Sequence, residues 1–119
     1  MDYRVFKDKI IVRIDRGEEI LSKIKEVAEK EKVTLAEINA LGAVDDFTVG
    51  CYKVDEKKYY PNEFKGCYEI VSLTGTISNM NGEYYSHIHM SAADINGNVV
   101  GGKKIIIYAK AKAQELPWK

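Results

Sequence analysis

One segment limits the folds open to this chain more than any other. Ile20, Leu21, Ile24, Val27 and Ala28 recur at helical spacing and form a single apolar stripe. Asp15 stands before them as a helix N-cap, and Glu18, three residues on, completes a capping box in which each side chain satisfies an orphan N–H. Glu19–Lys23 and Glu26–Lys30 are i,i+4 pairs on the opposite, polar face. The pattern predicts one amphipathic helix over about residues 16 to 31. A stripe on one side only must be covered, and the rest of the sequence supplies strands to cover it.

Those strands are read from alternation and turn chemistry. Tyr3 to Ile14 alternates, with Val5, Ile10, Val12 and Ile14 as its apolar positions. Thr34 and Glu37 offer a second, short cap signal, and Ile38 to Leu41, ending at Gly42, is expected to be a brief turn of helix passing into a strand. Phe47 to Val54 reads as a strand, and the charged run Asp55 to Lys58 as a hairpin turn. Tyr59 to Phe64 and Tyr68 to Ser78 are two further strands, and Tyr84 to Ala92 returns after the turn Asn79-Met80-Asn81-Gly82, which is of the Asn-Gly kind. Asp94 to Asn98 is another turn, leading into Val99-Val100-Gly101-Gly102 and a closing strand at Ile105 to Ala109. The expected fold is α+β: a mainly antiparallel sheet packed with one long N-terminal helix. With 119 residues and no linker, repeat or low-complexity tract, residues 1–119 are expected to form one domain.

Composition then narrows the function classes. Eighteen basic residues balance eighteen acidic ones, for a net charge of zero. A dedicated nucleic-acid binder ordinarily carries a basic excess, because neutralising phosphates supplies much of its affinity. DNA affinity is therefore expected to be weak. Cys51 and Cys67 show no metal-binding spacing. The N-terminal residues contain no secretory apolar region, and no run reaches the 18 apolar residues of a membrane span. The expectation is a cytoplasmic protein with free thiols and no membrane association.

The same segments, in order, resemble the plants-and-prokaryotes-conserved (PPC, also PCC) domain. That domain follows the AT-hook in plant nuclear proteins and stands alone in many bacteria and archaea. The resemblance is carried by Arg13 to Ile20 at the strand-to-helix junction, the small-residue turn Leu41-Gly42-Ala43-Val44, and the strand Gly66 to Ser78. His87-Ile88-His89, the Asp94 to Gly97 turn and Val99-Val100-Gly101-Gly102 complete it. It implies a PPC-like α/β domain that assembles as a homotrimer, with no single reaction attached to the prokaryotic members. This sequence departs from the pattern in two places. Lys103 follows the double glycine where many relatives have a histidine, and the tail from Lys104 to Lys119 is short. The Arg-Gly-Arg-Pro core of an AT-hook is absent, which removes the mechanical reason to infer DNA binding.

The chemistry-bearing candidates gather around the only two histidines. His87 and His89 lie two apart, so on a strand they share a face. Two imidazoles can ligate a divalent metal such as zinc, which ordinarily needs at least a third protein ligand. The relatives' third imidazole is Lys103 here, and its ammonium repels a cation, so Glu69, Asp94 or a neighbouring subunit would have to contribute. Acid–base chemistry is a second reading, with Glu69 or Asp94 orienting a histidine. A third is a cleft for a small anion, favoured by Lys103 beside the imidazoles. The plainest reading is two histidines hydrogen-bonded within a pocket or interface. No catalytic nucleophile is marked out: Ser91 shares the histidine face and Ser86 does not. Gly101-Gly102 lacks the spacing of a phosphate loop and is expected to serve a sharp turn or a close subunit approach.

Overall fold

The structure is a computed structural model that describes the backbone of residues 1–109 and side chains through Lys103. Strands β1 (Asp2–Phe6) and β2 (Lys9–Arg13) form an antiparallel hairpin, followed by helix α1 (Ile20–Lys30). Strands β3 (Ala36–Ala40), β4 (Ala43–Lys53), β5 (Lys58–Met80), β6 (Glu83–Ala93) and β7 (Val99–Ala109) form one antiparallel sheet. Among the described residues no helix is long and apolar enough to cross a membrane.

The sheet closes on itself. The lower half of β5 pairs with β4, β4 with β7, β7 with β6, and β6 with the upper half of β5. β3 lies along the remaining edge of the upper half of β5, running Ala36 to Ala40 against Ile77 to Leu73. One strand can serve both halves because it bends. Gly66 takes φ +129°, and pairing with β4 slips by a residue between Val44 and Asp46. The two segments read from sequence as separate strands are thus one strand of 23 residues.

Alternation decides what faces inward. Val44, Phe47 and Val49 of β4, Leu73 of β5, and Ile88, Met90 and Ala92 of β6 make the core, joined by Ile20 and Leu21 of α1. Phe47 sits at its aromatic centre, stacked on Phe64 at 5.3 Å and edge-on to Tyr68 at 5.0 Å between ring centroids. The residues between these positions point outward. The β5–β6 connection is a two-residue hairpin with Asn81 at φ +54° and Gly82 at φ +81°, the pairing of positive angles that matches strand twist.

Two local expectations need correction. The helix is neither long nor N-terminal: it spans eleven residues, Ile20–Lys30, after two strands. Gly17 at φ +87° breaks the backbone upstream, so Asp15 and Glu18 close a turn instead. Glu18 does accept from the Asp15 N–H at 2.8 Å, but the Asp15 carboxylate binds the Met1 ammonium at 2.7 Å. The N-cap is Glu19, which accepts from the N–H groups of Leu21 and Ser22, both at 2.8 Å. Lys23 consequently pairs with Glu26 and Glu18 rather than with Glu19. The second correction is at Ile38 to Leu41, where a turn of helix passing into a strand is expected: β3 (Ala36–Ala40) stands there with no helical turn. So short a helix cannot recover its nucleation cost, whereas the free edge of β5 offers it a full ladder.

Candidate functional site

His87 and His89 alternate with the buried Ile88 and Met90, so both imidazoles stand on the outer face of the barrel and are exposed. Their rings stack at 4.9 Å between centroids, with Nε2 to Nε2 at 2.9 Å. That hydrogen bond requires one of the two nitrogens to be bare, so it holds when at most one ring is protonated.

Register brings further groups to the same face. His89 lies between Thr74 of β5 and Lys103 of β7, and His87 is opposite Thr76. Directly opposite residues on adjacent strands have Cβ atoms about 5 Å apart, so Lys103 and His89 are side-by-side neighbours. One step along, Ser91 pairs with Ser72 and with Gly101. Ser72, Thr74, His89, Ser91, Gly101 and Gly102 line a shallow depression.

Lys103 is aligned by contacts that composition does not advertise. The Tyr59 hydroxyl donates to its carbonyl at 2.6 Å, tying β7 to the lower half of β5. A Cβ on Gly102 would stand 2.5 Å from the Gly50 carbonyl oxygen, and one on Gly101 would stand 2.6 Å from that of Met90. The double glycine therefore lies within a strand and lets β7 close against β4 and β6; it makes no sharp turn. Glycine pairs at such crossings are a readable signal, but their partners are set only by the fold.

The other two candidates stand apart from the imidazoles. Glu69 is opposite Ala93, four residues beyond His89 along β6, or about 13 Å at the usual strand rise. Asp94 is one residue farther, and its carboxylate accepts from the N–H groups of Asn96 (2.9 Å) and Asn98 (3.0 Å). The backbone N–H of Asn98, then that of Asn96, hold the Asp94 carboxyl below its usual range. Asp94 is engaged in shaping the turn. Among the described residues no three His, Cys, Asp or Glu side chains come together as a metal-binding group. Two imidazoles faced by an ammonium do not fit a divalent ion within one chain. The tail beyond residue 109 lies outside the described residues.

Sequence and fold now agree with known proteins. The Plants and Prokaryotes Conserved (PCC) domain matches residues 1–106. The chain belongs to the PCC domain family. A plant- and prokaryote-conserved protein from Pyrococcus horikoshii is 34% identical, with a TM-score of 0.78 over 82% of this chain and 68% of that one. A Bacteroides thetaiotaomicron protein provisionally named as DNA-binding is 25% identical, with a TM-score of 0.89 over 92% and 77% of the two chains. A metal-containing protein from Archaeoglobus fulgidus is 26% identical, with a TM-score of 0.74 over 98% and 92%. No curated protein matches the sequence.

In this PCC domain the face that carries the imidazoles is also rich in hydroxyls. Ser72, Thr74 and Thr76 sit at every second position of β5. Reading the strand for its apolar residues passes over them, although the period of two marks them as sharing one face.

Proposed function

We propose that this PCC domain is a homotrimeric, cytoplasmic binding module for a small anionic ligand, which it takes on the outer face around His87, His89 and Lys103 near a subunit boundary. The observation that carries this reading is the cross-strand pairing of Lys103 with His89. It sets a lysine ammonium beside two imidazoles, with the Thr74 and Ser72 hydroxyls and a glycine-lined backbone around them. A carboxylate or phosphate can meet an ammonium and neutral donors together there. A metal would need a third donor, which Lys103 does not supply.

Calorimetric titration with inorganic phosphate tests the reading in wild type and Lys103→Met. The variant keeps the Lys103 carbonyl that Tyr59 holds, so the strand stays in place. Affinity should fall about ten-fold, the effect of losing one charge-assisted hydrogen bond. Equal affinities would refute the site. The converse substitution, Lys103→His, should raise zinc affinity by restoring a third neutral nitrogen. Stoichiometric zinc in the purified wild type would overturn the anion reading. Light scattering that gives a monomer mass at micromolar concentration would overturn the trimer.

DNA binding is the second reading, favoured by the name of the Bacteroides relative. Zero net charge argues for weak, non-selective binding that fades as salt rises. Nanomolar, sequence-selective binding to duplex DNA at physiological salt would make DNA the primary ligand.

A further inference from the structure

The histidine face does not end at β5. β3 continues it on the far side, with Glu37 opposite Thr76 and Asn39 opposite Thr74. Two rows of side chains therefore cross the sheet. One runs Glu37, Thr76, His87, and the other runs Asn39, Thr74, His89, Lys103. Glu37, Asn39, Thr74 and Thr76 line a second shallow depression, which meets the first at Thr74. Among the described residues neither Glu37 nor Lys103 forms an ion pair.

We infer that the anion site is one half of a longer site, whose other half at Glu37 and Asn39 takes an ammonium, so that the ligand is a small zwitterion lying across β3, β5, β6 and β7. The inference rests on the anion-site reading above. Charge placement selects this class. A carboxylate suits the Lys103 end, and a second anion on the same molecule would be repelled by Glu37. A diamine would suit Glu37 and be repelled at Lys103. Between the ends are Thr74 and Thr76, whose methyls suit an aliphatic chain and whose hydroxyls suit a polar one. Strands lie about 4.8 Å apart, so two spacings separate Glu37 from His87 by about 10 Å at the backbone. Three spacings, about 14 Å, separate Asn39 from Lys103. Glu37 and Lys103 themselves are three spacings apart and offset by two residues, about 16 Å at the backbone, and the reach of their two side chains, about 4 and 6 Å, leaves about 6 to 10 Å for an ω-amino acid of six to eight carbons.

The probes are 7-aminoheptanoate, heptanoate and pimelate, titrated calorimetrically into wild type, Glu37→Gln and Lys103→Met. Wild type should bind the amino acid about three-fold tighter than heptanoate, the contribution of one exposed ion pair, and should bind pimelate no tighter than heptanoate. Glu37→Gln should abolish the amino acid's advantage while leaving heptanoate unchanged. Lys103→Met should weaken all three. If heptanoate binds through Lys103 but the amino group adds nothing, the anion site stands and the zwitterion inference falls. If no probe binds, or Lys103→Met changes nothing, both fall. The alternative occupant of the face is a second copy of the chain, with Glu37 of one set against Lys103 of another. Light scattering separates the two: a drop in assembly mass for Glu37→Gln would overturn the inference in favour of that contact.

Discussion

Gly75 lies on β5 opposite Ile88, between the two threonines of the site face, and the β5 and β6 backbones meet there with no room for a side chain. A Cβ at position 75 would stand 2.7 Å from Ile88 Cγ1 and 2.8 Å from Ile88 Cα, and closer still to the His87 carbonyl. Two of those neighbours are backbone atoms of β6, so no rotamer change relieves the clash. Gly75→Ala must push β6 away from β5 by several tenths of an ångström. Overpacking of this kind costs about 1–3 kcal/mol, and loosening one or two ladder hydrogen bonds adds about 0.5–1.5 kcal/mol each. A loss of about 3 kcal/mol is expected, a large share of the 5–15 kcal/mol typical of a domain. In thermal terms that is a fall in Tm of about 10 °C. Urea unfolding of wild type and variant at one matched protein concentration reads it directly, because an assembling protein changes apparent stability with concentration. His87 moves with its carbonyl, so phosphate affinity should fall as well. A midpoint shift worth less than about 0.5 kcal/mol, the range of ordinary surface substitutions, would refute the close approach of β5 and β6.

Two further outcomes follow from the core and the N-terminal ion cluster. Phe47→Ala should cost about 3–5 kcal/mol in urea unfolding, because Phe47 is 2% exposed and holds two aromatic partners; a cost under 1 kcal/mol would mean that the barrel interior collapses around the gap. The Met1 ammonium holds the Asp15 carboxyl below its usual range; for Glu18, burial pushes upward and the ammonium and the Asp15 N–H outweigh it. Stability from these two acids should be fully present above the ordinary carboxylate range and lost as pH falls through their lowered values. The same hydrogen bonds, from Asp15 and then Glu18, raise the Met1 ammonium, so its share should persist below pH about 8 and be lost as pH rises through the raised value. Asp15→Asn should flatten both limbs of the stability–pH curve, and a curve parallel to wild type would refute the cluster.

Much of the strand plan is local and was readable without coordinates. The Asn-Gly pair marks a turn within residues 79–82 because both residues tolerate positive φ, though the structure tightens it to Asn81-Gly82, and the alternation of Ile88 and Met90 with His87 and His89 sets the imidazoles on the outer face whatever else the chain does. The family, too, was legible in ordered segments. Local chemistry misled where two neighbouring signals competed. Asp15 and Glu18 carry a capping-box spacing, but Gly17 turns the chain between them and hands the cap to Glu19. Thr34 and Glu37 suggest a helix start, yet the segment gains more by pairing with β5. Whether Gly66 ends a strand or bends it depends on which strands lie on each side, and those lie far away in sequence. The site follows the same division. That His87 and His89 share a face is a property of any strand, set by a repeat of two. That Lys103, Thr74 and Glu37 join them on that face, while Glu69 and Asp94 stand apart, depends on the registers of three separate strand pairs. Registers are fixed by which apolar faces bury together and by where glycines let backbones approach, and only the closed barrel brings those conditions together.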